Sequence, residues 1–113
     1  MESNAVIRTL GALAQEHRLS AFRLLVQAGE AGLPAGIIAD RIGLVPSSLS
    51  FHLAQLSNAG LVTQHRQSRS IIYKADYGAM NALIGYLTDN CCGGVPCTSD
   101  VACRPPLSER DVA

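Results

Sequence analysis

Charge is scarce in this chain and favours neither sign: only 16% of residues are charged, with nine Lys and Arg against nine Asp and Glu. Bulk charge therefore points neither to a nucleic-acid coat protein nor to an acidic chaperone, and the distribution of charge has to be read instead. No apolar run approaches the roughly 20 residues that cross a bilayer. The start, Met1-Glu2-Ser3-Asn4, lacks the basic region of a signal peptide. The expectation is a cytoplasmic protein with no membrane partner. Cysteine is absent before Cys91, so everything up to that point must fold without disulfides. All four cysteines fall between positions 91 and 103. In a reducing cytosol that confinement argues for metal or redox chemistry over structural bridges. There is no internal repeat and no low-complexity tract. At 113 residues, 48% of them apolar, the chain is sized for one domain around one core, which excludes a large two-domain enzyme.

Apolar residues recur at helical spacing along most of the chain. Ala5, Val6, Leu10 and Leu13, with Ile7 alongside, predict a first helix over about 5–15. Leu19, Phe22, Leu25 and Val26 predict a second over about 17–28, closed by Gly29. Pro34 suits the first turn of a short third helix carrying Ile37, Ile38, Arg41 and Ile42 and ending at Gly43. Val45-Pro46-Ser47-Ser48 then supplies the cap and first turn of a fourth helix, whose Leu49, Leu53 and Leu56 form a core stripe up to Ala59-Gly60. About three residues join the third and fourth helices. Beyond Gly60 the period changes. Leu61 to Gln64 and Ile71 to Ala75 read as two strands, with the basic stretch His65-Arg66-Gln67-Ser68-Arg69-Ser70 as the hairpin tip. Asp76 caps a last helix with Met80, Leu83, Ile84 and Leu87 on one stripe, ending near Asn90. The order is ααααββα, a mainly helical domain over 1–90 with a β-hairpin wing. Residues 91–113, with Gly93-Gly94, Pro96 and Pro105-Pro106, form an irregular tail.

Two short helices joined by a tight turn and followed by a hairpin make a winged helix-turn-helix, in which the second helix enters the major groove of double-stranded DNA and the hairpin grips the backbone. The charge map agrees. Between Asp40 and Asp76 there is no acid, while Arg41, Arg66, Arg69, Lys74, His52 and His65 lie inside that interval. A neutral protein thus has a locally cationic face. With the leucine stripe committed to the core, Ser47, Ser48, Ser50, Phe51, His52 and Gln55 are left as candidates for base edges and phosphates. The plainer alternative is that these are ordinary solvated helix residues.

Leu10-Gly11-Ala12-Leu13-Ala14-Gln15-Glu16-His17-Arg18-Leu19, Ser48-Leu49-Ser50-Phe51-His52-Leu53-Ala54-Gln55-Leu56, the following Ala59-Gly60-Leu61-Val62, and Ile72-Tyr73 at the end of the wing are together specific. Over residues 5–90 the chain resembles the arsenical-resistance repressor (ArsR/SmtB-type) family of metal-responsive regulators. The resemblance implies a homodimer, paired mainly through the first and last helices, that represses its own operon by covering the promoter. It places the recognition positions on Ser47, Ser48, Ser50 and His52 and the wing arginine on Arg66 or Arg69. One departure matters. Many arsenic sensors of the family carry two cysteines, one residue apart, at the start of the third helix, where this chain reads Leu33-Pro34-Ala35-Gly36-Ile37-Ile38. The family's zinc site needs Asp and His along the last helix, and no His lies between Asp76 and Asn90.

Sensing is therefore expected in the tail. Thiolates are soft donors, and trivalent arsenic or antimony, which keeps a lone pair, favours three of them in a pyramid. Cys91 and Cys92 at a helix end, with Gly93-Gly94 turning the chain back to bring Cys97 across, make such a set for As(III) or Sb(III). Family members with cysteines at this place are arsenite sensors. Cys103 is an accessory candidate that could complete a four-thiolate site for zinc or cadmium, although a vicinal pair fits zinc poorly. The alternatives are a thiol redox switch forming a disulfide at Cys91 or Cys92, an arsenic-binding chaperone that ignores DNA, and tail thiols without a role. His17 reads as a capping or packing residue, Tyr73 and Tyr77 as supports of the wing and last helix, and Tyr86 as a residue facing a dimer partner. Neither a Ser/His/Asp arrangement nor a phosphate-binding glycine loop is present, so an enzyme is not expected.

Overall fold

The computed structural model describes residues 1–94, and the elements run α1 (Ser3–Leu13), α2 (Glu16–Ala28), β1 (Leu33–Pro34), α3 (Ala35–Ile42), α4 (Pro46–Asn58), β2 (Val62–Gln67), β3 (Ser70–Ala75) and α5 (Tyr77–Leu87), with a 3-10 turn at Gly29–Ala31 and a turn of partly left-handed backbone at Cys91–Gly94. This is a winged helix-turn-helix with one strand more than the pattern predicts. The chain divides into two units between Leu83 and Ile84, so the division falls within α5. Among the described residues no helix is long and apolar enough to cross a membrane.

Local capping sets the helix bounds. Gln15 is extended, and its side-chain Oε1 accepts from the backbone N–H of His17 at 2.8 Å and of Arg18 at 3.0 Å. That recruitment starts α2 at Glu16 and ends α1 at Leu13, two residues before the expected end. Pro34 does not occupy the first turn of α3. It is extended, caps that helix and pairs with Ile72, because the preceding chain is drawn into the sheet as β1. The sheet is antiparallel in the order β1-β3-β2, with Leu33 opposite Tyr73 and Val62 opposite Ala75. Gly32 enters this sheet at φ +64, and a Cβ there would lie 2.5 Å from the carbonyl oxygen of Tyr73. Only glycine fits that approach.

Gly43 closes α3 in the left-handed conformation, its N–H donating to Ala39 O at 2.9 Å, and three residues later Pro46 opens α4 at its first turn. Leu49, Leu53 and Leu56 are buried against Ala21, Phe22 and Leu25 of α2, Ile38 and Ala39 of α3, and Leu61, Val62 and Ala75 of the sheet. Each fully buried leucine contributes about 1.5–3 kcal/mol, which holds α4 with its opposite face in solvent.

Other apolar stripes are buried in part. In α1 the buried residues are Val6 and Thr9, whose Oγ1 donates to Ala5 O at 2.7 Å, while Ile7 and Leu10 are exposed. In α2, Ala21, Phe22 and Leu25 face inward. Leu19 is exposed because it lies about 120° around the helix from Leu25, at 100° per residue. Asp76 caps α5 as expected, its Oδ1 accepting from Ala79 N–H at 3.0 Å. The helix ends at Leu87, short of Asn90, and of its expected stripe Leu83 is buried, Met80 half-buried, and Ile84 and Leu87 exposed.

Candidate nucleic-acid interface

The buried leucines of α4 determine which of its residues face outward. Ser47, Ser48, Ser50 and Phe51 are exposed, Phe51 at 59%, so the first two turns present three small hydroxyls and one ring. His52 and Gln55 do not belong to this open face. His52 lies about 60° around the helix from Leu49, which brings it under cover. Its ring centroid is 5.7 Å from that of His17 on α2 and 5.6 Å from that of Phe51, which meets it edge-on. His17 is thus a packing residue, as expected. Among the described residues the buried Nδ1 of His52 finds no hydrogen-bond partner. Partial burial first, then the nearby charges of Arg18 and His17, hold its pKa below the usual 6.5. Gln55 is half-buried and lines a shallow cavity with Arg8, Gly11 and Arg18, on the side of α4 turned towards α1 and α2.

The wing is longer and its tip shorter than the sequence suggests. Pairing continues to Gln67 opposite Ser70, so the turn consists of Ser68 and Arg69 alone, with Ser68 at φ +55. The reason is that strand pairing uses backbone groups, which polar side chains supply as well as apolar ones. His65 and Arg66 therefore stand on β2, with Arg66 opposite Ile71 and His65 Nε2 3.0 Å from Thr63 Oγ1. Arg66 and Arg69 are both exposed, in a stretch with no acid from position 41 to 75.

A feature that the sequence reading missed is a cleft between α2 and α3, of about 380 Å³, lined by Arg23 and Arg41 together with Glu16, His17, Ser20 and Gln27. Arg23 precedes Asp40, outside the acid-free interval, and only the fold brings it beside Arg41. Its spacing from His17 and Ser20 along one face of α2 was the available signal.

Of the four candidate thiols, Cys91 and Cys92 lie within the described residues, and Cys97 and Cys103 lie outside them. Cys91 is half-buried and its N–H donates to Thr88 O at 2.9 Å, while Cys92 is exposed. Asn90, Cys92 and Gly93 take φ of +57, +60 and +69, so the backbone coils sharply at the vicinal pair. Two thiols are thereby held on one tight turn, and further sulfur donors follow in the sequence.

A helix-turn-helix domain model matches residues 13–65, from the end of α1 to the middle of β2. Over 79 residues the chain is 32% identical to the HTH-type transcriptional regulator YgaV from Escherichia coli (strain K12), covering 70% of this chain and 80% of the relative. An ArsR-like transcriptional regulator from Rhodococcus sp. RHA1 has a similar structure, with a TM-score of 0.66 and 26% identity over 74% of this chain and 76% of that one. The homodimeric winged helix-turn-helix DNA-binding domain of Mb0332 from Mycobacterium bovis superposes with a TM-score of 0.63 and 26% identity, covering 81% of this chain and 85% of that one.

Proposed function

This chain belongs to the ArsR/SmtB-type family of helix-turn-helix transcriptional regulators, and from that premise we propose that it is a repressor released from its operator by trivalent arsenic or antimony. Two copies pair, as those of the Mycobacterium bovis domain do, and set their α4 helices about one DNA turn apart, roughly 34 Å. Ser47, Ser48, Ser50 and Phe51 enter the major groove, and Arg66 and Arg69 take phosphates.

The observation that carries the metalloid reading is the vicinal pair Cys91-Cys92 on the left-handed turn that follows α5. Arsenous acid meets three thiols by exchange of ligands: three S–H protons leave with three hydroxyls as water, and three As–S bonds form without change of oxidation state. Cys91, Cys92 and Cys97 supply the sulfurs, with Cys103 as an accessory. Such an ion weakens DNA binding only by preferring a dimer geometry in which the recognition helices are misplaced, and couplings of this kind amount to about 1–3 kcal/mol.

A gel-shift assay on the DNA upstream of the gene, with and without arsenite, tests this. The expected result is a salt-sensitive complex that arsenite or antimonite dissolves. Release by a thiol oxidant and not by arsenite would replace the metalloid reading with a redox switch, and release by zinc or cadmium alone would replace the inducer. Arsenic binding without any DNA complex would make the chain an interaction protein.

A further inference from the structure

The exposed ring of Phe51 is anomalous on a face that otherwise carries hydroxyls. A phenylalanine 59% exposed in the middle of a well-formed helix leaves apolar surface in water, yet its neighbours on the open side, Ser47 and Ser50, are small and do nothing to cover it. Those same small residues allow a surface to approach closely on either side of the ring. The ring is also held: it stands edge-on to His52 at 5.6 Å, and His52 is backed by His17 of α2 at 5.7 Å. Contact with His52, itself packed on His17 of α2, thus supports one side of an apolar ring on the outward face. The surrounding stretch from 41 to 75 contains bases and no acid, which suits a polyanion and not an apolar protein partner.

On the edges of base pairs the major groove offers hydrogen-bond donors and acceptors and one apolar group, the C5-methyl of a pyrimidine. A phenyl ring has no hydrogen bond to offer to the rest. We infer that Phe51 is a specificity-determining residue that reads the 5-methyl group of a pyrimidine, thymine in unmodified DNA, by apolar contact. This rests on the reading of α4 as the helix that enters the major groove, and deepens it: the operator is chosen partly by a methyl group, with the serines adding polar contacts around it.

The test uses the full chain and a duplex that it selects from a randomised pool. That duplex is resynthesised with deoxyuridine in place of each thymidine in turn, which removes the methyl and keeps the base-pairing edge. Burial of one methyl corresponds to about a fourfold change in affinity. The parent should lose about fourfold at one position of each half-site, and Phe51→Ala should bind the thymidine and deoxyuridine duplexes alike. At the mapped position, a 5-methylcytosine–guanine pair should bind the parent better than a cytosine–guanine pair, with no such difference for Phe51→Ala. If no deoxyuridine substitution weakens the parent, or if each weakens Phe51→Ala equally through altered duplex shape, methyl reading by Phe51 is wrong while groove binding by α4 stands. If the chain selects no sequence at all, the assignment of α4 fails, and this inference with it.

Discussion

Tyr77, the first residue of α5, donates its hydroxyl to the carbonyl oxygen of Val26 at 3.0 Å, with Leu25 O further off at 3.4 Å. The last turn of a helix leaves its carbonyls without partners along its own axis, and here a side chain far along the sequence takes them up and ties α5 to α2. Tyr77→Phe removes that bond and little else. It should cost about 1 kcal/mol, read as a lower urea midpoint with DNA binding retained, and an unchanged midpoint would show that the bond is worth nothing.

Gly32 should tolerate no side chain. Its φ of +64 disfavours any other residue, and a Cβ would meet Tyr73 O at 2.5 Å and Ile72 Cγ2 at 2.8 Å. The backbone oxygen cannot rotate away. Gly32→Ala is expected to destabilise the fold by about 2–3 kcal/mol, visible as a lowered melting temperature. A variant as stable as the parent would contradict the close approach.

His52 should make stability depend on pH. Its pKa is held below 6.5 by burial, Arg18 and His17, so in the interval between the two values the unfolded chain binds a proton that the folded chain does not. This contribution is constant above the ordinary value, is lost as pH falls through it, and reaches its limit below the depressed value. The urea midpoint should drop as pH falls through the ordinary imidazole value of 6.5 and below it, and His52→Asn should flatten that dependence. Equal slopes in the two proteins would remove His52 from the account.

The wing arginines should act on phosphates and not on sequence. Replacing Arg66 or Arg69 by Ala should weaken binding to all duplexes alike and reduce the magnitude of the log–log salt slope by about 1. If both slopes match the parent's, the wing does not touch the backbone.

Single changes in the tail should uncouple induction from binding. Cys91→Ser, Cys92→Ser and Cys97→Ser should each still retard operator DNA and no longer release it with arsenite, while Cys103→Ser should respond nearly as the parent does. A responsive Cys97→Ser beside an unresponsive Cys103→Ser would exchange the third ligand, and response in all four would place the inducer elsewhere.

The helices, their three-residue connection and the leucine stripe of α4 were legible because each rests on local signals: a period, a cap, a glycine. β1 was not, since a strand of two residues exists only through its pairing with Ile72 and Tyr73. The wing was found but its tip was drawn too long, because polar residues from His65 to Gln67 carry no strand signature although their backbones pair. On α4 the pattern separated core from surface and could not tell which flank the neighbouring helices cover. His52 and Gln55 were grouped with the serines for that reason, whereas the structure turns both towards α2 and α1. For the tail, residue type and spacing were the whole signal, and its vicinal pair is the part that the described residues reach.

The extra strand bears on a different hazard. A three-stranded sheet has two open edges, each able to recruit a strand from another molecule and seed aggregation. Here one edge is β1, only two residues long and ending in Pro34, which has no N–H to donate. The other is β2, whose exposed Thr63, Gln64, His65, Arg66 and Gln67 make an edge that is polar throughout and charged at Arg66. Neither invites pairing with a strand of another molecule, so contacts between molecules are steered away from the sheet.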